Sequence, residues 1–183
     1  MPQRKAAGGR AIVSRHLIVD GYNLARSGGV FLSEDPAGPE GRGELCDLLS
    51  GYVRGKGFRL TVVFDGRGAE APQRTRQAFK GGTSVFSSRF ETADDVIRDL
   101  SRSAAAGTIV VTSDRGLRGT LSTHDVTVVS CEEFADRLAA VQLEGGKGAT
   151  DEEEGGGKRK EKKGEGQRKK KRDRERDRIL RKL

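Results

Sequence analysis

Short, continuous apolar runs alternate along the chain with segments whose apolar residues recur every three or four positions. The run His16–Asp20 is too short and apolar for a surface helix and predicts a buried strand, whereas Glu40–Arg54 has near-helical spacing. Strands that alternate with helices are typical of an α/β domain with a mainly parallel sheet. The predicted strands cover 16–20, 58–64, 83–86, 108–112 and 126–129, and the predicted helices cover 40–54, 92–106, 113–121 and 131–141.

Three of these strands lead into an aspartate, at Asp20, Asp65 and Asp114, and a fourth, Asp94, lies at the start of a predicted helix. The carboxyl ends of parallel strands share one edge of a sheet, where ligands bind. Four carboxylates gathered there would repel one another unless a cation lay between them. Carboxylate oxygens in this number favour Mg²⁺ or Mn²⁺ over zinc. The pattern therefore predicts metal-dependent phosphate chemistry.

Each aspartate also has a purely structural interpretation. Asp20 and Asp65 both precede glycine, and an Asp-Gly pair often serves only to form a turn. Thr92 with Asp95 resembles a capping box, and acids in a first helical turn also favour the helix dipole. Asp94 borders the apolar face of that helix, so we expect Asp94 to be the ligand and Asp95 the cap.

The neighbours of the aspartates leave further alternatives open. Asn23 either binds Asp20 or a substrate phosphate or merely shapes its loop, and Ser113 either binds phosphate or caps the next helix. Glu91 is a weaker site candidate. Two common phosphate motifs are absent: no P-loop is present, and no G-x-G-x-x-G follows a strand to open a helix.

The charge of the chain is concentrated at its carboxyl end. Residues 158–183 contain fifteen Lys or Arg and five Asp or Glu, a net of +10, so with +8 for the whole chain residues 1–157 carry −2. We expect a disordered basic arm at 1–15, a folded domain at 16–141, a Gly/Glu-rich linker at 142–157 and a disordered basic tail at 158–183. A detached basic tail indicates an anionic partner such as RNA or the ribosome.

The cysteines and histidines argue against other classes of site. Cys46 and Cys131 have no CxxC spacing, and His16 and His124 form no ligand set, so a zinc site is not expected. Two isolated cysteines suit a reduced, cytoplasmic protein. No apolar stretch approaches the roughly 20 residues of a membrane span.

The chain contains, in this order, the motifs Asp20-Gly21-Tyr22-Asn23, Val63-Phe64-Asp65, Glu91-Thr92-Ala93-Asp94 and Thr112-Ser113-Asp114. Together these four motifs resemble the YacP-like NYN domain, a bacterial branch of the PIN-like nuclease superfamily. The resemblance runs from about His16 to Val141; Ser87–Phe90 has no clear counterpart, and the basic tail lies outside it. It implies a Rossmann-like, three-layer α/β/α sandwich, here with a mainly parallel five-stranded sheet, and an Mg²⁺- or Mn²⁺-dependent ribonuclease, usually an endonuclease. It also implies that Asp20, Asp94 and Asp114 form the metal site, assisted by Asn23 and Asp65.

An acidic site on a nearly neutral domain requires separate basic elements to hold RNA. The alternative is a non-catalytic RNA- or ribosome-binding module that keeps the fold and binds mainly through its tail. The candidate RNA-binding residues follow Asp65 or lie in the tail: Arg67, Arg74, Arg76, Lys80, Lys169, Lys170, Lys171 and Arg172.

Overall fold

The computed structural model describes residues 15–66 and 71–145, with side chains through residue 140. Three predicted features lie outside the described residues: the basic arm before residue 15, the candidate Arg67 and the basic tail. The strands are β1 (Arg15–Asp20), β2 (Phe58–Phe64), β3 (Thr75–Phe79), β4 (Gly82–Phe86), β5 (Thr108–Val111) and β6 (Val126–Val129). The helices are α1 (Gly21–Ala25), α2 (Pro39–Val53), α3 (Ala93–Arg102), α4 (Arg115–Leu121) and α5 (Cys131–Gly145).

The strands form one six-stranded sheet in the order β3-β4-β2-β1-β5-β6. Every pair is parallel except β3–β4. The chain proceeds from β1 through β2 to β4 and then continues with β5 on the other side of β1. The point at which the strand order reverses therefore lies between β1 and β5, where an open α/β sheet provides a crevice for ligands. These two strands are direct neighbours and pair in parallel.

Helices cover both faces of this sheet. Leu17 and Val19 of β1 belong to a core that includes residues of α2 and α5, whereas Ile18 belongs to a second core with residues of α3 and α4. All three side chains are fully buried. A strand buried on both faces reads as a continuous apolar run, which is why the sequence revealed it. The prediction of an α/β domain with a mainly parallel sheet is confirmed.

The predicted number of strands was wrong. The missed strand, β3, lies within a stretch that reads as a polar connection, and most of its residues are exposed. It is an edge strand, paired antiparallel with β4 across the short turn at Lys80–Gly81, where Gly81 has φ +95°. An edge strand that contributes little to the core need not alternate apolar and polar residues. In the sequence, the feature that indicates β3 is the glycine-containing turn at Lys80–Gly81 between two short strand-like segments.

The remaining differences concern the ends of elements. A short helix, α1, follows β1 directly, and α5 extends through Gly145, into the first residues of the predicted linker. Thr92 caps α3 in a capping box with Asp95, as predicted. Within 15–66 and 71–145, no helix has the length and apolar character needed to cross a membrane.

Candidate active site

Asp20 ends β1 and lies at the carboxyl edge of the sheet, where it is only 4% exposed. Its carboxylate accepts hydrogen bonds from the Asn23 backbone nitrogen at 3.2 Å and from Asn23 Nδ2 at 2.6 Å. Burial raises the pKa of Asp20; the bonds from Asn23 and Thr112 partly oppose this, and the nearby charge of Asp114 raises the pKa further. Asn23 therefore orients Asp20, one of the two predicted alternatives, and Asp20 also caps α1.

The glycine after Asp20 is required by packing. A Cβ built on Gly21 would lie 2.4 Å from Cε1 of the buried Phe64 ring, and Gly21 is not among the glycines with positive φ. The Asp-Gly pair here therefore reflects close contact between β1, α1 and β2. Backbone flexibility does not explain it.

Thr112 connects the ends of β1 and β5. Its fully buried hydroxyl donates to Asp20 Oδ2 at 3.3 Å and accepts from the backbone nitrogen of Asp114 at 3.2 Å. Asp114 caps α4 by accepting from the Leu117 nitrogen at 2.7 Å. The alternative in which Ser113 caps this helix was wrong, because the Ser113 hydroxyl instead contacts the start of α5 at Glu132.

Asp94 and Asp95 face different surroundings, as predicted from the helical periodicity. Asp94 is partly buried and borders the same pocket as Asp20. Burial raises the pKa of Asp94, and the charges of Asp114 and Asp20 raise it further. Asp95 accepts from the Thr92 backbone nitrogen at 3.0 Å and forms an ion pair with Arg98 at 2.7 Å. These contacts lower the pKa of Asp95, so its charge is compensated within α3.

Asp65 follows β2 and accepts a hydrogen bond at 3.2 Å from the hydroxyl of Ser87, which is 1% exposed. The same hydroxyl accepts from the Gly66 nitrogen at 2.9 Å. A Cβ on Gly66 would lie 2.0 Å from the Ser87 carbonyl oxygen, so the glycine permits this close approach. Ser87 belongs to the segment that the resemblance did not match, and sequence alone did not indicate this role.

A pocket of about 230 Å³ lies at this edge of the sheet, and its lining is Asp20, Tyr22, Asn23, Arg26, Asp65, Thr92, Ala93 and Asp94. Arg26 was not predicted as a site residue; it is exposed and lies over the Tyr22 ring, 5.4 Å from its centroid. A second cleft, of about 470 Å³ and mainly apolar, lies between α2 and the β3–β4 hairpin, and none of the five predicted catalytic residues lines it. The smaller pocket is the candidate site because three of the four predicted carboxylates, Asp20, Asp65 and Asp94, line it, whereas Asp114 is not part of its lining.

The donors at this edge suit a hard divalent cation. Asp20, Asp94 and Asp114 come from three separate segments, and the charge of Asp114 raises the pKa of both Asp20 and Asp94. Among the described residues, however, no three His, Cys, Asp or Glu side chains are arranged to hold an ion by themselves. Mg²⁺ commonly binds through one or two carboxylates together with substrate phosphates and water, so the donor set fits an ion completed by the substrate.

The predicted RNA-binding residues occupy different places. Arg74 forms hydrogen bonds to both carboxylate oxygens of Glu91 at 2.8 Å and an ion pair with Asp99, so its charge is compensated internally, and Glu91 serves this contact. Arg76 is exposed on β3. Lys80 lies beside Phe58, at the opposite end of the sheet from Asp20, so the expectation that it follows Asp65 at the site's edge was wrong. Arg67 and the tail candidates Lys169, Lys170, Lys171 and Arg172 lie outside the described residues.

The sequence matches a known protein family. The family model described as the YacP-like NYN domain matches residues 17–183. The chain belongs to the YacP-like NYN domain family. The predicted resemblance is thereby confirmed, and membership places the chain in the PIN-like nuclease superfamily. The match extends beyond Val141, so it includes the linker and tail that the sequence analysis placed outside the family domain.

Two solved structures share the fold. The crystal structure of Rae1 (YacP) from Bacillus subtilis is 24% identical, with a TM-score of 0.55 over 70% of this chain and 75% of that chain. A tryptophan-to-leucine mutant of the same Bacillus subtilis protein is also 24% identical, with a TM-score of 0.54 over 71% of this chain and 78% of that chain. No curated protein matches the chain. At this identity the likeness supports the fold, and the activity must be argued from the residues.

Proposed function

We propose that this chain is an Mg²⁺- or Mn²⁺-dependent endoribonuclease that hydrolyses RNA phosphodiester bonds at the carboxylate edge of its sheet. The observation that carries the proposal is that Asp20, Asp65 and Asp94 line one pocket at the carboxyl edge of the sheet, beside the switch point between β1 and β5. Packing alone would place neutral or paired groups there, because uncompensated like charges destabilise a folded protein. An acidic cluster that persists at a ligand-binding edge is therefore best explained by function.

The cation would be held by carboxylates from the set Asp20, Asp94 and Asp114, with substrate phosphate and water completing its coordination. When bound, it would polarise the scissile phosphate and lower the pKa of an attacking water. The chain's own groups fix the geometry: Asn23 and Thr112 hold the Asp20 carboxylate in one orientation, and the capping of α4 holds Asp114. Asp65, held by Ser87, borders the pocket and assists in positioning substrate or water.

RNA must also be held against an acidic surface. Arg26 lines the pocket and is exposed, so its guanidinium is placed to bind a phosphate next to the scissile one. Exposed Arg76 and the basic tail would bind phosphates farther away. We propose that the tail, with +10 over residues 158–183, aids association with RNA or the ribosome.

The decisive experiment is cleavage of a mixed RNA pool by the full chain with Mn²⁺, with Mg²⁺ and with EDTA. We expect internal cuts with either metal and none with EDTA. The matched controls are Asp94→Asn, which should be inactive, and Asp95→Asn, which should remain active. Binding of RNA without any metal-dependent cleavage would instead support the non-catalytic RNA- or ribosome-binding module.

The tail is tested by truncation after Gly157. Contacts between Lys or Arg and phosphates release counterions, so their contribution falls steeply with salt and depends little on base sequence. The truncated protein should bind one RNA more weakly and with a shallower salt dependence than the full chain. The same affinity and the same salt slope for both proteins would show that the tail is not a nucleic-acid arm.

A further inference from the structure

Two large apolar side chains are exposed in the described part of the chain, Phe31 at 90% and Phe90 at 73%. Single exposed apolar residues are ordinary on protein surfaces, so exposure alone indicates nothing. Phe90, however, lies on the connection from β4 to α3, at the same edge of the sheet as the carboxylates. It precedes by two residues Thr92, which lines the pocket.

The backbone on the amino-terminal side of Phe90 is firmly held. Ser87 and Ser88 are buried, at 1% and 6% exposure. The Ser88 nitrogen donates to Glu91 Oε1 at 3.0 Å, and the Glu91 nitrogen donates to the Ser88 carbonyl at 3.3 Å. Arg74 in turn binds both oxygens of the Glu91 carboxylate. These contacts close the connection into a tight turn that is anchored to the edge of β3.

Arg89 and Phe90 are therefore exposed side chains on an ordered turn. The backbone of Arg89 is itself fixed, because its nitrogen donates to the Ala71 carbonyl at 3.1 Å. The Arg89 guanidinium lies over the Phe90 ring with 4.5 Å between its Cζ and the ring centroid. One face of the ring is thus covered by a cation, and most of the ring remains exposed to solvent. A surface ordered before binding loses little entropy when a ligand stacks on it.

We propose that Phe90, backed by Arg89, is a stacking platform for an unpaired base of single-stranded RNA whose backbone crosses the carboxylate pocket. The inference rests on the proposed function, since it assumes an RNA substrate. Proteins that bind single strands combine cationic groups for the backbone with aromatic rings on which bases stack, and stacking tolerates any base. The platform favours single-stranded over duplex RNA because paired bases inside a helix are not available to the ring.

The absence of tryptophan from the whole sequence provides a direct probe. The variant Phe90→Trp keeps an aromatic platform and introduces a single tryptophan. Its fluorescence should be quenched when a single-stranded RNA oligonucleotide is added in EDTA, where no cleavage occurs. The same oligonucleotide with abasic residues, and a duplex of the same sequence, should cause little quenching. Equal quenching by all three, or none by any, would overturn the proposal.

The energetic contribution is measured by equilibrium binding in EDTA. Phe90→Ala should raise the Kd for single-stranded RNA on the order of tenfold, the effect of losing one stacked base. Phe90→Leu should bind the RNA nearly as weakly as Phe90→Ala, because leucine keeps apolar volume but has no ring on which a base can stack. The slope of binding against salt should stay unchanged in both, since no phosphate contact is lost. Wild-type affinity for Phe90→Ala would refute the platform.

Phe31→Ala is the matched control. Phe31 is more exposed than Phe90, and in the described part of the chain no cationic side chain is stacked on it. We expect wild-type binding from this variant. An equal loss in Phe31→Ala and Phe90→Ala would mean that general surface apolarity contributes to binding, and the specific platform would be rejected.

The two proposals fail separately. If wild-type protein never cleaves RNA but Phe90→Trp is still quenched by the single strand, the nuclease is rejected and the platform is kept. Wild-type protein that cleaves, together with Phe90→Ala that cleaves with unchanged KM, would keep the nuclease and reject the platform.

Discussion

Each end of the sheet has a buried ionisable side chain, His16 at one end and Asp20 at the other, and their surroundings are opposite in kind. At the amino-terminal end, His16 is 5% exposed and both ring nitrogens have partners: Thr61 Oγ1 at 2.8 Å from Nε2 and Arg59 Nη2 at 2.9 Å from Nδ1. Because arginine only donates, Nδ1 accepts and Nε2–H donates to Thr61. Burial, and then the charge of Arg59, lowers the pKa of His16 to about 4. The imidazole is therefore held neutral and satisfied.

At the carboxyl-terminal end, Asp20 is equally buried, yet its neighbours include two more carboxylates, Asp94 and Asp114. Asn23 and Thr112 orient Asp20 but bring no positive charge. His16 is neutral and its ring nitrogens are paired within the fold. Under the proposed function, the partner of the Asp20 carboxylate would instead be a cation bound from outside the chain.

The largest expected effect is on RNA cleavage, at the carboxyl-terminal end of the sheet. Asp94→Asn should reduce kcat/KM for RNA cleavage by about a thousandfold, as expected when several kcal/mol of cation-mediated stabilisation are lost. Asp95→Asn, one position away on α3, should stay within a few-fold of wild type. Steady-state cleavage with Mn²⁺ measures both. Similar losses in the two variants would show that our assignment of helical faces is wrong.

The next effect is on the pH dependence of stability and concerns His16, at the amino-terminal end of the sheet. As pH falls below 6.5, the unfolded state binds a proton at His16, but the folded state does so only near pH 4. The free energy of unfolding should therefore fall across this window, by about 3 kcal/mol in total. Urea unfolding of wild type and His16→Gln at pH 7 and 4.5 isolates this contribution. The variant should lose less stability on acidification, and parallel losses would argue against a neutral His16.

A smaller effect is on the stability of the metal-free protein and concerns the carboxylates at the carboxyl-terminal end of the sheet. In EDTA at pH 7, Asp94→Asn should be more stable than wild type by up to about 1 kcal/mol, because one of three like charges is removed. Saturating Mn²⁺ should stabilise wild type and reverse the order. Thermal unfolding with and without metal tests this. A variant less stable than wild type under both conditions would show that Asp94 is a structural residue.

The smallest effect concerns the cap of α3. Asp95→Asn should cost at most about 1 kcal/mol, since asparagine retains an acceptor for the Thr92 nitrogen and the lost ion pair with Arg98 is partly exposed. Chemical denaturation gives the difference. A loss well above this value would indicate that the capping box supports the site itself.

The buried strands and the aspartates that follow them could be predicted from sequence because their signals are local. The centre of β1 and the end of β2 are buried on both faces and are apolar runs, Leu17–Val19 and Val62–Phe64, and the capping box at Thr92 is a pattern of four residues. β3 could not be read in this way, because an exposed edge strand carries few apolar residues and depends on β4 for its hydrogen bonds.

The sequence by itself determined the α/β class, the aspartates at the strand ends and the different surroundings of Asp94 and Asp95, since each follows from a pattern within one element or at its end. Only the tertiary structure decided which side chains meet. Thr112 reaches Asp20 across 92 positions of sequence, and Ser87 reaches Asp65 across 22. It also decided that Arg74 is paired internally, whereas Arg26 lines the pocket. Charge and residue type are local properties, but whether a charge is compensated depends on neighbours that only the folded chain supplies.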